Sequence, residues 1–94
     1  MGIEQYLSGR GRPGHEAAIA ALLQRLARLS RDVPGCLECE LHLPDAGRAE
    51  WWLRANWASA TALWRATATA APLLDELLRD HCLHLRAGTT AEAC

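Results

Sequence analysis

The chain predicts an α+β domain built in the order β-α-β-β-α-β, with four antiparallel strands in one sheet and both helices on one face of it. Three observations lead there. Two segments place apolar residues at helical spacing. Four others alternate, or are rich in strand-forming residues. Breakers containing Gly or Pro fall between them. At 94 residues the chain fits one domain, with the fold expected over residues 1–88 and a tail over 89–94.

Ile3 to Ser8 reads as a short first strand, ended by the glycine-rich cluster Gly9-Arg-Gly-Arg-Pro-Gly14. Glu16 to Arg31 carries the strongest helix signal. Ile19, Leu22, Leu23, Leu26 and Leu29 share one side, opposite Gln24, Arg25, Arg28 and Arg31. Asp32-Val-Pro-Gly35 stops it, because Pro cannot continue a helix and Gly tolerates the turn. Cys36 to Leu43 alternates, with Leu37, Cys39, Leu41 and Leu43 on one face and Cys36, Glu38, Glu40 and His42 on the other. Pro44-Asp-Ala-Gly47 is hairpin turn chemistry, and Arg48 to Asn56 is the returning strand. Trp51, Leu53, Ala55 and Trp57 would share one face, and Trp52, Arg54 and Asn56 the other; Arg54 and Asn56, among large apolar neighbours, must be paired if buried. Ser59 caps a helix over Ala60 to Ala68. Pro72 interrupts that helix and opens a further helical piece marked by Leu73, Leu74, Leu77 and Leu78. His81 to Arg86 is the last strand, with Leu83 and Leu85 on one face. This is the split βαβ, ferredoxin-like order. Its helix-free sheet face needs cover. A second copy of the sheet supplies that cover, and a monomer with a polar outer face is the other solution.

Composition narrows the function. The formal net charge is −1 and every basic residue is arginine, so nothing offers the broad basic face that nucleic acid or an anionic membrane wants. No apolar run reaches the ~20 residues of a bilayer span, and Met1 to Arg10 lacks the apolar stretch of a secretory signal. The expected location is therefore cytoplasmic, with the four cysteines reduced. Phenylalanine is absent and all four tryptophans fall between residues 51 and 64. Bulk concentrated at one strand–helix corner marks either a wide core or an aromatic-binding site.

The motifs Pro13-Gly14, Pro34-Gly35-Cys36-Leu37, Trp57-Ala-Ser59-Ala-Thr-Ala62-Leu63 and Ala71-Pro72-Leu73-Leu74 occur in order on this plan. In them the chain resembles the antibiotic biosynthesis monooxygenase (ABM) family, the dimeric α/β-barrel domain, from about residue 3 to 86. The resemblance implies a homodimer with facing sheets and a pocket in each protomer between sheet and helices. It implies activities such as oxygenation of phenolic compounds or quinols without a bound cofactor. The chain departs from the family at Ala55, Thr61 and Ala66, where many relatives carry Glu, an acid and His. Haem-degrading relatives use an Asn on the first strand, a Trp near position 66 and a His on the later helix. Ser8, Ala66 and residues 73–80 supply none of these, so haem chemistry is disfavoured.

Cofactor-free oxygenation needs an electron-rich ring, a dry aromatic pocket, a polar group to orient it and a base or cation. Asn56 and Arg54 are the candidate catalytic residues: Asn56 to orient a carbonyl or phenol, Arg54 to stabilise an oxyanion. Trp57 and Trp64 are candidates to line a pocket for a small aromatic molecule, with Tyr6, His84 and Arg86 as further substrate-binding groups. Each has a plainer reading. Trp57 would anchor the core, Trp64 would sit on the surface, and Arg86 would be solvated. The alternative function is a dimeric small-molecule-binding or accessory protein that keeps the fold without catalysis.

No metal or cofactor site is expected. Cys36-x-x-Cys39 with His81-Cys82-Leu83-His84 suggests zinc, but on a regular strand Cys36 and Cys39 point to opposite faces, so small apolar packing is the favoured reading. Gly9-x-Gly11-x-x-Gly14 matches a dinucleotide fingerprint, but the unit is split and residue 34 is Pro where an acid belongs. His15 and His42 read as surface residues.

Overall fold

The structure, a computed structural model, describes residues 2–45 and 47–91. Part of the expected hairpin turn, at residue 46, and the end of the expected tail, at 92–94, lie outside the described residues. The elements are β1 (Ile3–Gly11), α1 (Glu16–Asp32), β2 (Cys36–His42), β3 (Glu50–Trp57), α2 (Ala60–Glu76) and β4 (Cys82–Ala91), with a π-helical turn, Leu77–His81, between α2 and β4. The sheet order is β2-β3-β1-β4, and every pairing is antiparallel. The expected βαββαβ order and helix-covered face are present.

The core sits between the sheet and the helices. From α1 it takes Ile19, Leu22, Leu23 and Leu26. From β3 it takes Trp51, Leu53, Ala55 and Trp57. From α2 it takes Ala62, Leu63, Ala66, Ala70 and Leu73. These are the positions that a 3.6-residue period and a two-residue period direct inward. Ser59 caps α2 as expected, its Oγ accepting from the Ala62 N–H at 3.1 Å. Gly35 ends α1 with φ +98°. A Cβ there would lie 2.6 Å from the Ala62 Cβ, so glycine is required both for the turn and for the approach of α2.

Four expectations need correction. First, β1 does not stop at Ser8. Gly9 and Gly11 belong to it, since a Cβ on Gly9 would come within 2.7 Å of the Trp51 indole and one on Gly11 within 2.4 Å of Ile19. These glycines admit bulky neighbours to the backbone rather than breaking the strand. Second, α2 runs through Pro72 to Glu76. An interior proline costs about 3 kcal/mol, and the burial of Leu73 and Leu77 after it holds the last turns against the core. Third, β2 carries a bulge. Cys36 pairs with Trp57 and Glu38 with Asn56, leaving Leu37 as the extra residue, 63 % exposed. The bulge turns Cys36 onto the same inner face as Cys39, where both pack against the core. Leu83 is displaced in the same way where β4 meets the end of β1, and it is exposed while Leu85 is half-buried. Fourth, β4 extends past Arg86, and residues 89–91, expected in the tail, pair with β1.

Among the described residues, no helix is long and apolar enough to cross a membrane.

Candidate functional site

Alternation sorts the sheet into two faces, and the register then sets which side chains meet. On the helix-free face, Arg54 lies between Glu40 of β2 and Tyr6 of β1. The next row holds His42, Trp52, Ser8 and Arg86, and the row on the other side Glu38, Asn56, Glu4 and Thr90. Tyr6, Leu7, Ser8, Glu40, Trp52 and Arg54 line a concavity of about 520 Å³ on this face. Serine at position 8 leaves a gap between larger neighbours, which is what makes the face hollow rather than flat.

Charge is tightly organised there. The Arg54 guanidinium donates to Glu40 Oε2 at 2.6 Å and lies 3.8 Å from Glu4 Oε1. Hydrogen bonding with Glu38 and the Arg54 guanidinium holds the Glu40 carboxyl below the usual carboxylate range. The same pairing pushes Arg54 further up, so it stays a cation. A hydrogen bond to Glu4, with some burial, pushes the Tyr6 phenol up and keeps its proton in place. Asn56 donates to Glu38 Oε2 at 3.2 Å, while its Oδ1 is buried without a partner among the described residues. Trp52 stacks on His42, with ring centroids 5.8 Å apart and planes at 12°.

The middle of the space between sheet and helices, where the resemblance places a pocket, is filled. The void behind Leu7, Leu26, Leu53 and Ala66 holds only about 10 Å³, room for about one water at most. Trp57 is fully buried, its Nε1 donating to Gln5 Oε1 at 3.1 Å, and it lines no cavity. Trp64 is 70 % exposed on α2. It overhangs a shallow groove of about 400 Å³ with Gln5, Leu63, Thr67, Ala87, Gly88 and Thr89, at the end of the sheet where neither helix packs extensively on β4. That groove carries no titratable side chain.

Of the candidate residues, Arg54 and Tyr6 meet in the concavity. Asn56 lies one row away. Arg86 and His84 share the outer face from β4, opposite Ser8 and Arg10. Trp57 and Trp64 do not line one pocket. The sequence reading assigned no role to Glu40, Trp52 and Glu4. Alternation had placed Trp52 on one face with Arg54, and Glu40 on one face with Glu38 and His42, but only the cross-strand register brings Glu40 and Glu4 to Arg54.

Cys36, Cys39 and Cys82 are free thiols, each pushed up by burial, which suits packing better than nucleophilic chemistry at neutral pH. Among the described residues no cluster of three or more His, Cys, Asp or Glu side chains could hold a metal ion. His15 is not a free surface group: its Nδ1 lies 3.0 Å from His81 Nδ1, tying the start of α1 to the end of the π-helical turn.

This fold and these motifs define a family. The pattern of the antibiotic biosynthesis monooxygenase family matches residues 7–73, and the chain belongs to that family. It is similar to PA3566 from Pseudomonas aeruginosa at a TM-score of 0.82 and 20 % identity, covering 99 % of this chain and 95 % of that one. It is similar to a variant of SnoaB, a cofactor-independent oxygenase from Streptomyces nogalater, at 0.81 and 18 %, covering 97 % and 92 %. Rv0793 from Mycobacterium tuberculosis aligns at 0.78 and 20 %, covering 100 % and 97 %. At these identities the likeness is one of fold. No curated protein matches the chain in sequence.

Proposed function

We propose that this protein is a cofactor-independent monooxygenase of a small aromatic or quinol-type metabolite, working as a cytoplasmic homodimer in which the two helix-free sheet faces meet. The family supports the reaction type. The observation that carries the site is the meeting of Tyr6, Trp52, Arg54 and Glu40 around a concavity of about 520 Å³, the size of a small-molecule site. Tyr6 and Trp52 are themselves partly exposed aromatics on that face, and a second copy of the sheet would cover them and dry the hollow.

The chemistry assigned to these groups needs no bound redox partner, because the substrate is the reductant. A carboxylate, Glu40 or Glu4, takes a proton from a ring position activated by a phenol or carbonyl. Arg54 and the Tyr6 hydroxyl stabilise the negative charge that develops on the substrate oxygen. The resulting carbanion passes one electron to O2, the radical pair joins as a peroxide anion, and the proton held by the carboxyl group returns to it to give a hydroperoxide. Loss of water from that hydroperoxide leaves a carbonyl, so that one CH2 and one O2 give one C=O and one H2O. Asn56 is a positioning residue behind Glu38 in this scheme.

A second reading, a binding or accessory protein, is favoured by one observation. Arg54, Tyr6 and Asn56 are each already engaged by a carboxylate, and the inner face carries Ala55 and Ala66 buried in the core. Oxygen uptake with naphthols, anthrones and quinols separates the two. Uptake above blank, lost in Arg54→Met, supports the oxygenase. Ligand binding without uptake across that panel supports the accessory protein. Sedimentation tests the assembly, and a stable monomer contradicts the facing sheets.

A further inference from the structure

We propose that His15 and His81 form a pH-sensitive latch, which joins the start of α1 to the π-helical turn before β4 at neutral pH and releases it in mild acid. The latch shares no residue with the concavity on the helix-free face or with the groove beside Trp64, so it stands whichever of them holds a guest.

The two Nδ1 atoms lie 3.0 Å apart, with ring centroids at 5.2 Å and planes at 62°. That is hydrogen-bond distance in an edge arrangement rather than a stack. An imidazole nitrogen carries either a proton or a lone pair, so a bond between two of them holds one proton. One ring donates and the other accepts. When both rings are imidazolium, two N–H groups point at each other and two positive charges stand side by side. Water does little to relieve them, because the His81 side chain is only 19 % exposed. His15 is also the N-cap of α1, where the positive end of the helix dipole opposes a further cation.

The surrounding charges support one imidazolium and not two. From α2, Glu76 Oε2 lies 3.9 Å from His81 Nε2, which places the cation on His81 and leaves His15 to accept. Glu76 is the one carboxylate paired with either ring among the described residues. Asp75 and Asp80 are taken by Arg79, at 2.8 and 3.5 Å. Glu16 of α1 accepts from the Gly14 N–H at 3.3 Å. Arg12 adds positive charge, its guanidinium reaching the Arg79 carbonyl at 3.4 Å. From β4, Cys82 is a thiol pushed up by burial, and His84 stands opposite Arg10 of β1, which pairs with Glu50. Beyond the latch, the corner leans on Arg12, whose N–H donates to the His81 carbonyl at 2.8 Å. The β1–β4 ladder itself shifts register there, between Arg10 and Gly11. In acid the released chain takes a proton on each ring, whereas the latched corner holds one between them. The latch is therefore complete at neutral pH and lost as pH falls through the imidazole range, a one-proton difference changing the equilibrium about tenfold per pH unit.

The test follows amide exchange and the histidine ring signals of the full chain by NMR, from about pH 8 down to about pH 5. The Arg12 amide and the amides of the π-helical turn should lose protection at least about tenfold over that range, after correction for the intrinsic exchange rate. The His15 and His81 rings should titrate in two linked steps, with His84 as the unlinked reference. His15→Asn keeps an acceptor for the His81 N–H and cannot gain a charge. It should retain the protection seen at neutral pH and abolish its loss in acid. Asparagine is also a favoured N-cap, so the variant is expected to fold, and a thermal melt checks this. His81→Gln is the second variant and should flatten the pH dependence in the same way. Protection that does not change with pH in the wild-type protein, or that falls equally in His15→Asn, overturns the proposal. So does a titration in which His15 and His81 each follow a single independent step, as His84 does.

Discussion

The two faces of β3 come from eight consecutive residues and do opposite things. Trp51, Leu53, Ala55 and Trp57 face the helices and are sealed. Trp52, Arg54 and Asn56 face outward, where Trp52 and Arg54 border a concavity of about 520 Å³. Both faces carry tryptophan, so aromatic content alone does not mark a site. What separates them is the company the ring keeps. Inward, the glycines of β1 and the leucines of α1 close around the indoles. Outward, ion-paired carboxylates and a small Ser8 leave a hollow. On the proposed reading, stability is held on one side of the strand and chemistry on the other, which predicts that substitutions on the two faces separate cleanly.

The largest effect belongs to the sealed face. Trp57→Ala should cost about 3–5 kcal/mol, enough to leave so small a domain largely unfolded. Urea unfolding reads it, and a loss below about 1 kcal/mol would mean that the corner is not closed. Gly9→Ala comes next, at about 1–3 kcal/mol. Its new Cβ meets the Trp51 indole at 2.7 Å and the His84 backbone oxygen at 2.8 Å, and the latter cannot swing away.

On the open face the expected effects fall on binding and on pH. Because Glu40 is held below its ordinary pKa in the fold, its contribution to stability is present above the unfolded carboxylate value, about 4.3. That contribution is lost as pH falls through the lower folded value. The urea midpoints of the wild-type protein and Glu40→Gln should therefore differ most at neutral pH and converge in acid, below the usual carboxylate range. Glu4, Glu38, Arg54 and Tyr6 are the groups that face Glu40 across this window. A difference that grows in acid would contradict the pairing. Asn56→Val should change stability least, by under about 1 kcal/mol. It gives up the contact with Glu38 but also removes a buried Oδ1 with no partner.

Much of this architecture is written in periodicity. The leucines of α1, the alternation of β3 and the Ser59 cap each predict what the fold contains, because each is a local rule. The differences arise where a tertiary contact overrides a local rule. Gly9 and Gly11 look like a break until Trp51 and Ile19 need room above them. Pro72 looks like a stop until Leu73 and Leu77 hold the helix on. The bulge at Leu37 leaves no trace in a pattern that alternates smoothly, yet it moves Cys36 to the other face. The site divides in the same way. That Arg54, Asn56 and Trp52 share a face follows from a period of two. That Glu40 reaches Arg54, and that the middle of the helix side is packed while a groove remains beside Trp64, follow from register and volume.

The central proposal, that the guest sits in the hollow on the helix-free side of the sheet, is tested most directly by the indole N–H resonances. Trp52 reports the open face and Trp64 the groove beside α2. Titration with a naphthol should shift Trp52, together with the backbone amides of Tyr6, Ser8 and Arg54, and leave Trp64 in place. A shift confined to Trp64, Leu63 and Thr67 would contradict the account and move the site to the helix side.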